Sequence, residues 1–411
     1  MSSSESYMSR AAFWLAGGSA VAVVFSIAAG QILLGAALIA LLFSNLKLRL
    51  PPIWLPLGLF MAGTVVSLML SGDPTSGRPQ IRKFIVFFLL LVVYSTFREL
   101  AHVRNLFLCW AGAGAITAAR GLVQFGQKYS YAQYAGLNFY ENYVGQRISG
   151  FSSNWMTFSG QLMIVFLLLA AFLLFSPFAR RKPRWLGAIS AVILAAAIVL
   201  TLTRSVWLAA GAGGVYLVWR WRKWLLLALP VVLAVGVWFS PAWVRVRLVS
   251  VVQPRGDVDS NQLRIVCWRT GCEMIKAHPW FGVGPEQIKP QFDRYVPPDI
   301  PRPLPLGWYG HLHNIYVHYA AERGVPTMLM LLWLLVKVLF DFLSAIRKLP
   351  PGPGEAKALL HGCVAVVLAV MVEGVFELNL GDSEVLMMFL TVVACGYAAR
   401  DRALEASLPA A

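Results

Sequence analysis

The residues best suited to chemistry lie in one short stretch, HLHNIYVHYAAERG, at positions 311–324. It contains His311, His313 and His318, followed by Glu322 and Arg323. A neutral imidazole has a pKa near ambient pH, so it can take a proton from an attacking hydroxyl. An apolar run, VPTMLMLLWLLVKVLF, follows directly. This order puts ionisable groups at the end of a membrane helix, where the residues alone leave open both a proton-transfer site and a structural role for the histidines.

The composition indicates which elements must hold these residues. The chain has 411 residues, of which 58% are hydrophobic and 13% charged, against about 25% charged in soluble proteins. Apolar runs of about 20 residues recur along it and predict an all-α polytopic membrane protein rather than a soluble bundle. About twelve spans are expected near 11–28, 31–45, 53–70, 83–97, 105–122, 156–176, 185–202, 204–220, 223–240, 314–346, 357–377 and 384–400.

Basic clusters occupy every second short loop, and the net charge of +16 is explained by such loops without a nucleic-acid partner. The clusters lie at 47–49, 98–104, 180–184, 220–223, 347–348 and 400–402. The positive-inside rule makes these loops, and both termini, cytoplasmic. The predicted organisation is a nine-span membrane region, 1–240, an outward loop, 241–313, that roofs the site, and a three-span region, 314–411.

Several arginines fall on the opposite, outward side, where the positive-inside rule does not require them. They are Arg78, Arg82, Arg147, Arg204, Arg245, Arg247, Arg255, Arg264, Arg269, Arg294 and Arg302, and three of them match the motifs considered below. Arg147 lies in the loop 123–155, Arg204 in a short turn, and Arg264 in the loop 241–313. Each taken singly could reach towards lipid phosphates. As a set they indicate a phosphate or pyrophosphate ligand, because guanidinium offers a planar fork of donors that matches phosphate oxygens.

The long outward loop has internal order. LRIVCWRTGCEMIKAH predicts a helix on which Arg264 and Trp268 share a face. The Pro-rich segment 296–307 predicts an extended strap, whose movement the sequence does not address. Asp257 and Asp259 form a D-x-D pair that can hold a metal in nucleotide-sugar transferases. Because no nucleotide-binding βαβ pattern accompanies the pair, we interpret it as a solvated turn.

Together these motifs resemble the core signature of the O-antigen ligase and polymerase superfamily. The resemblance rests on an Arg-x-x-x-Trp helix, a His-Pro-x-x-Gly-x-Gly turn, then His-x-His-Asn and Glu-x-Gly. The matching residues are Arg264, Trp268, His278, Pro279, Gly282, Gly284, His311, His313, Asn314, Glu322 and Gly324. RISGFSSNWMTFSG, which begins at Arg147, and TLTRSVWLA, which contains Arg204, match upstream pieces.

The resemblance implies a GT-C-like membrane glycosyltransferase of the bacterial inner membrane, active on the periplasmic face. It implies transfer of a finished glycan from undecaprenyl pyrophosphate to lipid A–core, with no cofactor. The single large outward loop favours a ligase. A polymerase that joins lipid-linked repeats remains an alternative, and a lipid-linked glycan transporter is a further one, although no internal repeat of the transporter kind is visible.

The mechanism predicted on this basis uses His313 as the base and Arg147, Arg204 and Arg264 as pyrophosphate ligands. A single displacement inverts the configuration at the anomeric carbon, and no metal is required. His313 is expected at the outward end of one helix over 313–346, about 50 Å long. Supporting candidates are Asn314, as a cap or an orienting group for His313, and His311, Tyr316, Trp268 and Glu322. Glu373 and Glu377 are left without a role.

Overall fold

The apolar runs of the sequence form α-helices in the computed structural model, which describes residues 7–177, 184–250 and 261–405. In hydrocarbon a helix satisfies every backbone N–H and C=O within its own segment, which is why such runs adopt it. No β-strand occurs in these ranges. The α-helices are α1 Tyr7–Ala22, α2 Ile27–Leu42, α3 Trp54–Leu70, α4 Arg78–Arg82, α5 Phe84–Thr96, α6 Leu100–Tyr134, α7 Phe139–Gly145, α8 Trp155–Phe175, α9 Arg184–Leu200, α10 Arg204–Arg222, α11 Leu229–Phe239, α12 Ala242–Val249, α13 Asn261–Ala277, α14 Ile288–Tyr295, α15 Ile315–Arg323, α16 Val325–Lys348, α17 Glu355–Glu373 and α18 Ser383–Glu405.

Seven helical segments of the described chain are long and apolar enough to cross a membrane. They are Arg78–Thr96, Leu100–Tyr134, Trp155–Phe175, Arg204–Phe239, Val325–Lys348, Glu355–Glu373 and Ser383–Glu405. Three shorter apolar helices, Ile27–Leu42, Trp54–Leu70 and Trp185–Leu200, accompany them. The all-α polytopic class is therefore supported, and the number twelve stays a prediction.

Helix α17 lies at the centre of the bundle. It packs against α8, α10, α16 and α18, and side chains all along it, such as Leu360, Val364 and Val367, are fully buried. A second, smaller core forms in the long loop, where Val266 and Met274 of α13 pack with Phe292 of α14 and with Leu312. The loop is thus a folded unit set against one end of the bundle. Its Pro-rich part, 296–307, contains no helix or strand.

The single helix expected over 313–346 is wrong. The chain forms α15, then breaks at Gly324, where φ is +87°, before α16 begins. Pro326 sits in the first turn of α16, a position that needs no N–H donor and that proline therefore tolerates. His313 accordingly precedes a short helix of nine residues rather than standing on a long membrane span.

Backbone hydrogen bonds with the long loop satisfy the polar groups that the helix break leaves without helical partners. The Val283 and Gly284 amides donate to the carbonyls of Ala321 and Glu322, both at 2.9 Å, and the Val325 amide donates to the Pro279 carbonyl at 2.8 Å. Carbonyls at a helix end would otherwise lack partners. The His-Pro-x-x-Gly-x-Gly turn of the sequence is therefore the segment that joins the loop to the α15–α16 junction.

Gly324 is required at this junction for two separable reasons. Its positive φ disfavours any side chain, and a Cβ there would lie 2.0 Å from the Trp280 carbonyl oxygen. Gly352 also has a positive φ, +97°, but a Cβ there meets nothing within 4 Å.

We expect Gly324→Ala to destabilise the protein by well over the roughly 1–3 kcal/mol that a strained φ alone costs. Gly352→Ala isolates that φ cost without the backbone clash. Thermal unfolding of both variants in detergent measures the difference, and equal midpoints would contradict the interlock described above.

Candidate functional site

His313 is held in a fixed position just before α15. Its φ of +47° is unusual for a residue with a side chain, and such strain persists only where neighbours impose it. The indole Nε1 of Trp268 donates to its carbonyl at 3.2 Å. The side chain of Asn314 caps α15 by accepting from the Tyr316 and Val317 amides at 2.9 and 3.0 Å. The predicted capping role of Asn314 is confirmed.

The imidazole of His313 is paired on one side only. Its Nδ1 lies 3.2 and 3.3 Å from the two carboxylate oxygens of Glu377. Its Nε2 is buried and has no hydrogen-bond partner among the described residues. Since an ionised carboxylate only accepts, Nδ1 carries the proton and Nε2 keeps a lone pair. A buried nitrogen without a partner costs free energy, so it calls for a ligand or a chemical role.

Glu377 comes directly after α17 and connects His313 to Arg264. Arg264 Nη2 lies 3.4 Å from its carboxylate, and Arg264 Nε donates to the Phe376 carbonyl at 3.2 Å. Burial raises the pKa of the Glu377 carboxyl, but the hydrogen bond with His313 and the nearby charge of Arg264 lower it to about 2. Burial lowers the pKa of His311 to about 3. The site therefore holds an ionised Glu377 and a neutral His311 at pH 7.

The predicted arginines do come together, with one addition. Burial and the neighbouring charges of Arg247, Arg264 and Arg204 lower the pKa of Arg147 to about 9, which still leaves it cationic at pH 7. Arg147 Nε donates to the Val144 carbonyl at 3.0 Å, and its guanidinium lies 5.0 Å from the Trp155 ring centroid. These four arginines, named here the arginine cluster, repel one another, and an anion would relieve that repulsion.

Neighbouring segments fix the rest of the cluster. Arg204 Nη1 donates to the Ser250 hydroxyl at 2.9 Å, and its Nη2 donates to the Asn261 side chain. Arg247, 2% exposed, donates from Nε to the Leu202 carbonyl at 3.0 Å. The cluster thus joins α10, α12 and α13 to the segment before α8.

Two cavities meet at Phe376 and Glu377, one lined by each residue. The first, of about 500 Å³, is mainly apolar, with the arginines at its edge. It is lined by Arg204, Ser205, Trp207, Leu208, Leu248, Asn261, Arg264, Ile265, Trp268 and Phe376. The second, of about 260 Å³, is polar, and its lining includes Lys83, His311, His318, Glu373, Glu377 and Asp382. We name them the apolar cavity and the polar cavity.

Two supporting candidates have structural partners. The Tyr316 hydroxyl donates to the Met371 carbonyl at 2.9 Å, which ties α15 to α17. Glu322 accepts from Arg323 Nε at 3.0 Å and from the Glu286 amide at 2.9 Å, and lies 3.7 Å from His318. Glu322 therefore belongs to the network at the helix break, although it also lines the polar cavity.

Two residues of the site were not selected from the sequence. Glu377 lies 64 positions from His313, so no local pattern joins them. The only signal in the sequence was an acid at the end of the predicted span 357–377, and acids within spans are functional candidates by default. Arg247 was one of several outward arginines. Asp257 and Asp259 lie outside the described residues.

One group of described side chains has the geometry to hold a metal ion. The ligand atoms of His311, His313 and Glu377 lie within 4.8 Å of one another. Arg264 already binds Glu377, and its fixed positive charge opposes a cation there.

This fold and site define a polytopic α-helical membrane protein with a buried His–Glu pair and an arginine cluster at one end of the bundle. Residues 189–332 match the family model described as O-Antigen ligase. The match supports assignment of the protein to the O-antigen ligase and polymerase family and confirms the resemblance stated above. It includes Arg204, Arg264 and His313, whereas Arg147 and Glu377 lie outside it. A search of curated proteins returned no match.

Proposed function

We propose that the protein is an O-antigen ligase that transfers a glycan from undecaprenyl pyrophosphate to lipid A–core on the periplasmic face of the bacterial inner membrane. The observation that carries this proposal is the buried Nε2 of His313, which has no hydrogen-bond partner among the described residues, close to the arginine cluster. A base and an anion site are the two requirements of glycosyl transfer from a pyrophosphate.

His313 is the proposed general base. Its Nε2 takes the proton of the acceptor hydroxyl as that oxygen forms a bond to the anomeric carbon of the donor. The bond from this carbon to the phosphate oxygen breaks, and the electron pair leaves with the pyrophosphate. Glu377 holds the Nδ1–H tautomer and stabilises the imidazolium that forms, as a carboxylate does in hydrolase triads. This single displacement inverts the configuration at the anomeric carbon.

The arginine cluster is the proposed pyrophosphate site. In this proposal Arg147, Arg204, Arg247 and Arg264 bind the leaving group and stabilise the negative charge that develops on it, which is the most effective use of electrostatic stabilisation. Arg204 and Arg264 also line the apolar cavity, whose surface suits the first isoprene units of the lipid carrier. Fixed guanidinium groups supply this stabilisation without a metal ion.

The test is a transfer assay on the purified protein in detergent with an undecaprenyl-pyrophosphate-linked glycan, with and without lipid A–core, in EDTA. A gel ladder that appears only with lipid A–core and persists in EDTA is the expected result, because arginines replace a metal. Longer lipid-linked glycan without the acceptor would identify a polymerase. Loss of the ladder in EDTA would contradict the metal-independent mechanism, and glycan movement across vesicles without transfer would indicate a transporter.

A further inference from the structure

The polar cavity adjoins the proposed base, whereas the apolar cavity adjoins the arginine cluster. Phe376 lines the apolar cavity with Arg264, and Glu377 lines the polar cavity with His311. Glu377 lies 3.2 Å from Nδ1 of His313, and the ring centroids of His311 and His313 are 4.1 Å apart. Because the attacking hydroxyl must lie beside the base, the polar cavity suits the acceptor.

The acidic side chains of this cavity disfavour the donor pyrophosphate. Glu286, Glu322, Glu377 and Asp382 line it, together with Lys83. The Lys83 ammonium already donates to the Gly381 carbonyl at 3.1 Å. A phosphate bound in this cavity would face several carboxylates, and negative charges in close proximity repel one another.

A buried histidine of the same cavity also calls for a ligand. His318 is 5% exposed and lines the cavity. Its Nδ1 is buried with no hydrogen-bond partner in the described part of the chain. Hydroxyl groups of a sugar can both donate to carboxylates and bond to an imidazole nitrogen. Trp308, 56% exposed, also lines the cavity and offers an apolar ring to a sugar face.

We infer that the polar cavity is the acceptor subsite and that it binds an acceptor sugar that carries no phosphate or carboxylate near the reacting hydroxyl. Asp382 accepts a hydrogen bond from one of its hydroxyls, and the hydroxyl that reacts lies next to the His313–Glu377 pair. The identification of the bound sugar as the acceptor substrate rests on the proposed function. The binding preference itself is measured without any transfer.

In the first experiment the purified full-length protein in detergent is titrated with a phosphate-free oligosaccharide of neutral hexoses, and the heat of binding is measured by calorimetry. Its phosphorylated counterpart is titrated in parallel. The neutral sugar is expected to bind about tenfold more tightly, since a misplaced charge costs more than one hydrogen bond contributes. Equal affinity for the two sugars, a preference for the phosphorylated one, or no binding of either would overturn the inference.

The second experiment uses Asp382→Asn, in which the new side chain keeps the cap that Asp382 gives to the Glu384 amide. We expect it to weaken neutral-sugar binding, and to raise the acceptor KM, by about tenfold, with the donor KM unchanged. Asp293→Asn, at an exposed pair with Arg302, is the matched control and should change nothing. A raised donor KM with an unchanged acceptor KM would overturn the assignment.

The two proposals fail in different ways. If the protein binds the neutral sugar in the polar cavity but transfers nothing to any acceptor, the ligase function is wrong and the sugar subsite stands. If the protein is an active ligase and Asp382→Asn alters neither binding nor acceptor KM, the subsite alone is wrong.

Discussion

Replacement of His313 by alanine is expected to lower the rate of glycan transfer by about 10²–10⁴-fold, the usual contribution of a positioned general base. The imidazole has a buried nitrogen, Nε2, that has no partner among the described residues, and a carboxylate within hydrogen-bond distance of its other nitrogen. The measurement is the initial rate of ladder formation at saturating donor and acceptor.

His278→Ala is the control for the His313 variant. The His278 ring is exposed and contacts the Tyr295 hydroxyl at 2.8 Å, away from the arginine cluster. It should leave the rate unchanged. Stabilisation of His313→Ala by inorganic pyrophosphate in a thermal unfolding assay shows that the variant is folded with an intact anion site. Transfer by that variant at the unmutated rate would exclude His313 as the base.

Glu377→Gln is expected to reduce kcat by about 10²–10⁴-fold, as removal of the carboxylate does in a hydrolase triad. A glutamine amide can donate to Nδ1 of His313, which moves the ring proton to Nε2 and blocks its use as a base. It also removes the charge that pairs with Arg264. The fall should appear in kcat, with the acceptor KM changed little.

Two further variants serve as controls for Glu377→Gln. Glu377→Asp keeps the charge and should lose less activity than Glu377→Gln. Glu273→Gln makes the same chemical change at an exposed pair with Lys276 on α13 and should have no effect. A kcat for Glu377→Gln equal to that of the unmutated protein would show that the His–Glu pair is structural.

Much of the site could be predicted from local sequence signals. The apolar runs predicted the helices. Arg147, Arg204 and Arg264 were selected because they lie on the outward side, where the positive-inside rule does not require basic residues. Asn314 before an apolar run is a cap signal that the structure confirms. Each of these inferences depends on residues a few positions apart, or on the sign of a charge.

The remaining parts depend on contacts between distant segments. Glu377 becomes part of the site only because α17 ends beside the loop that carries His313. Arg245 and Arg247 look equivalent in the sequence, but only Arg247 is buried and faces the cluster. The break at Gly324 was signalled by Gly324 and Pro326, yet the close approach of the Trp280 carbonyl to Gly324 is a contact between distant segments that no helix propensity describes.

The backbone bonds between 279–284 and 321–325 limit how this protein can be recombined with its relatives. A chimera that exchanges the long loop alone would pair one parent's glycine turn with the other parent's helix end, across contacts too close for any Cβ. A segment exchange that keeps these bonds within one parent therefore includes at least residues 279–325. Within it, the Pro-rich strap 296–307 lies outside these bonds, but Ile300 packs in the second core, so only the exposed positions of the strap are free to vary.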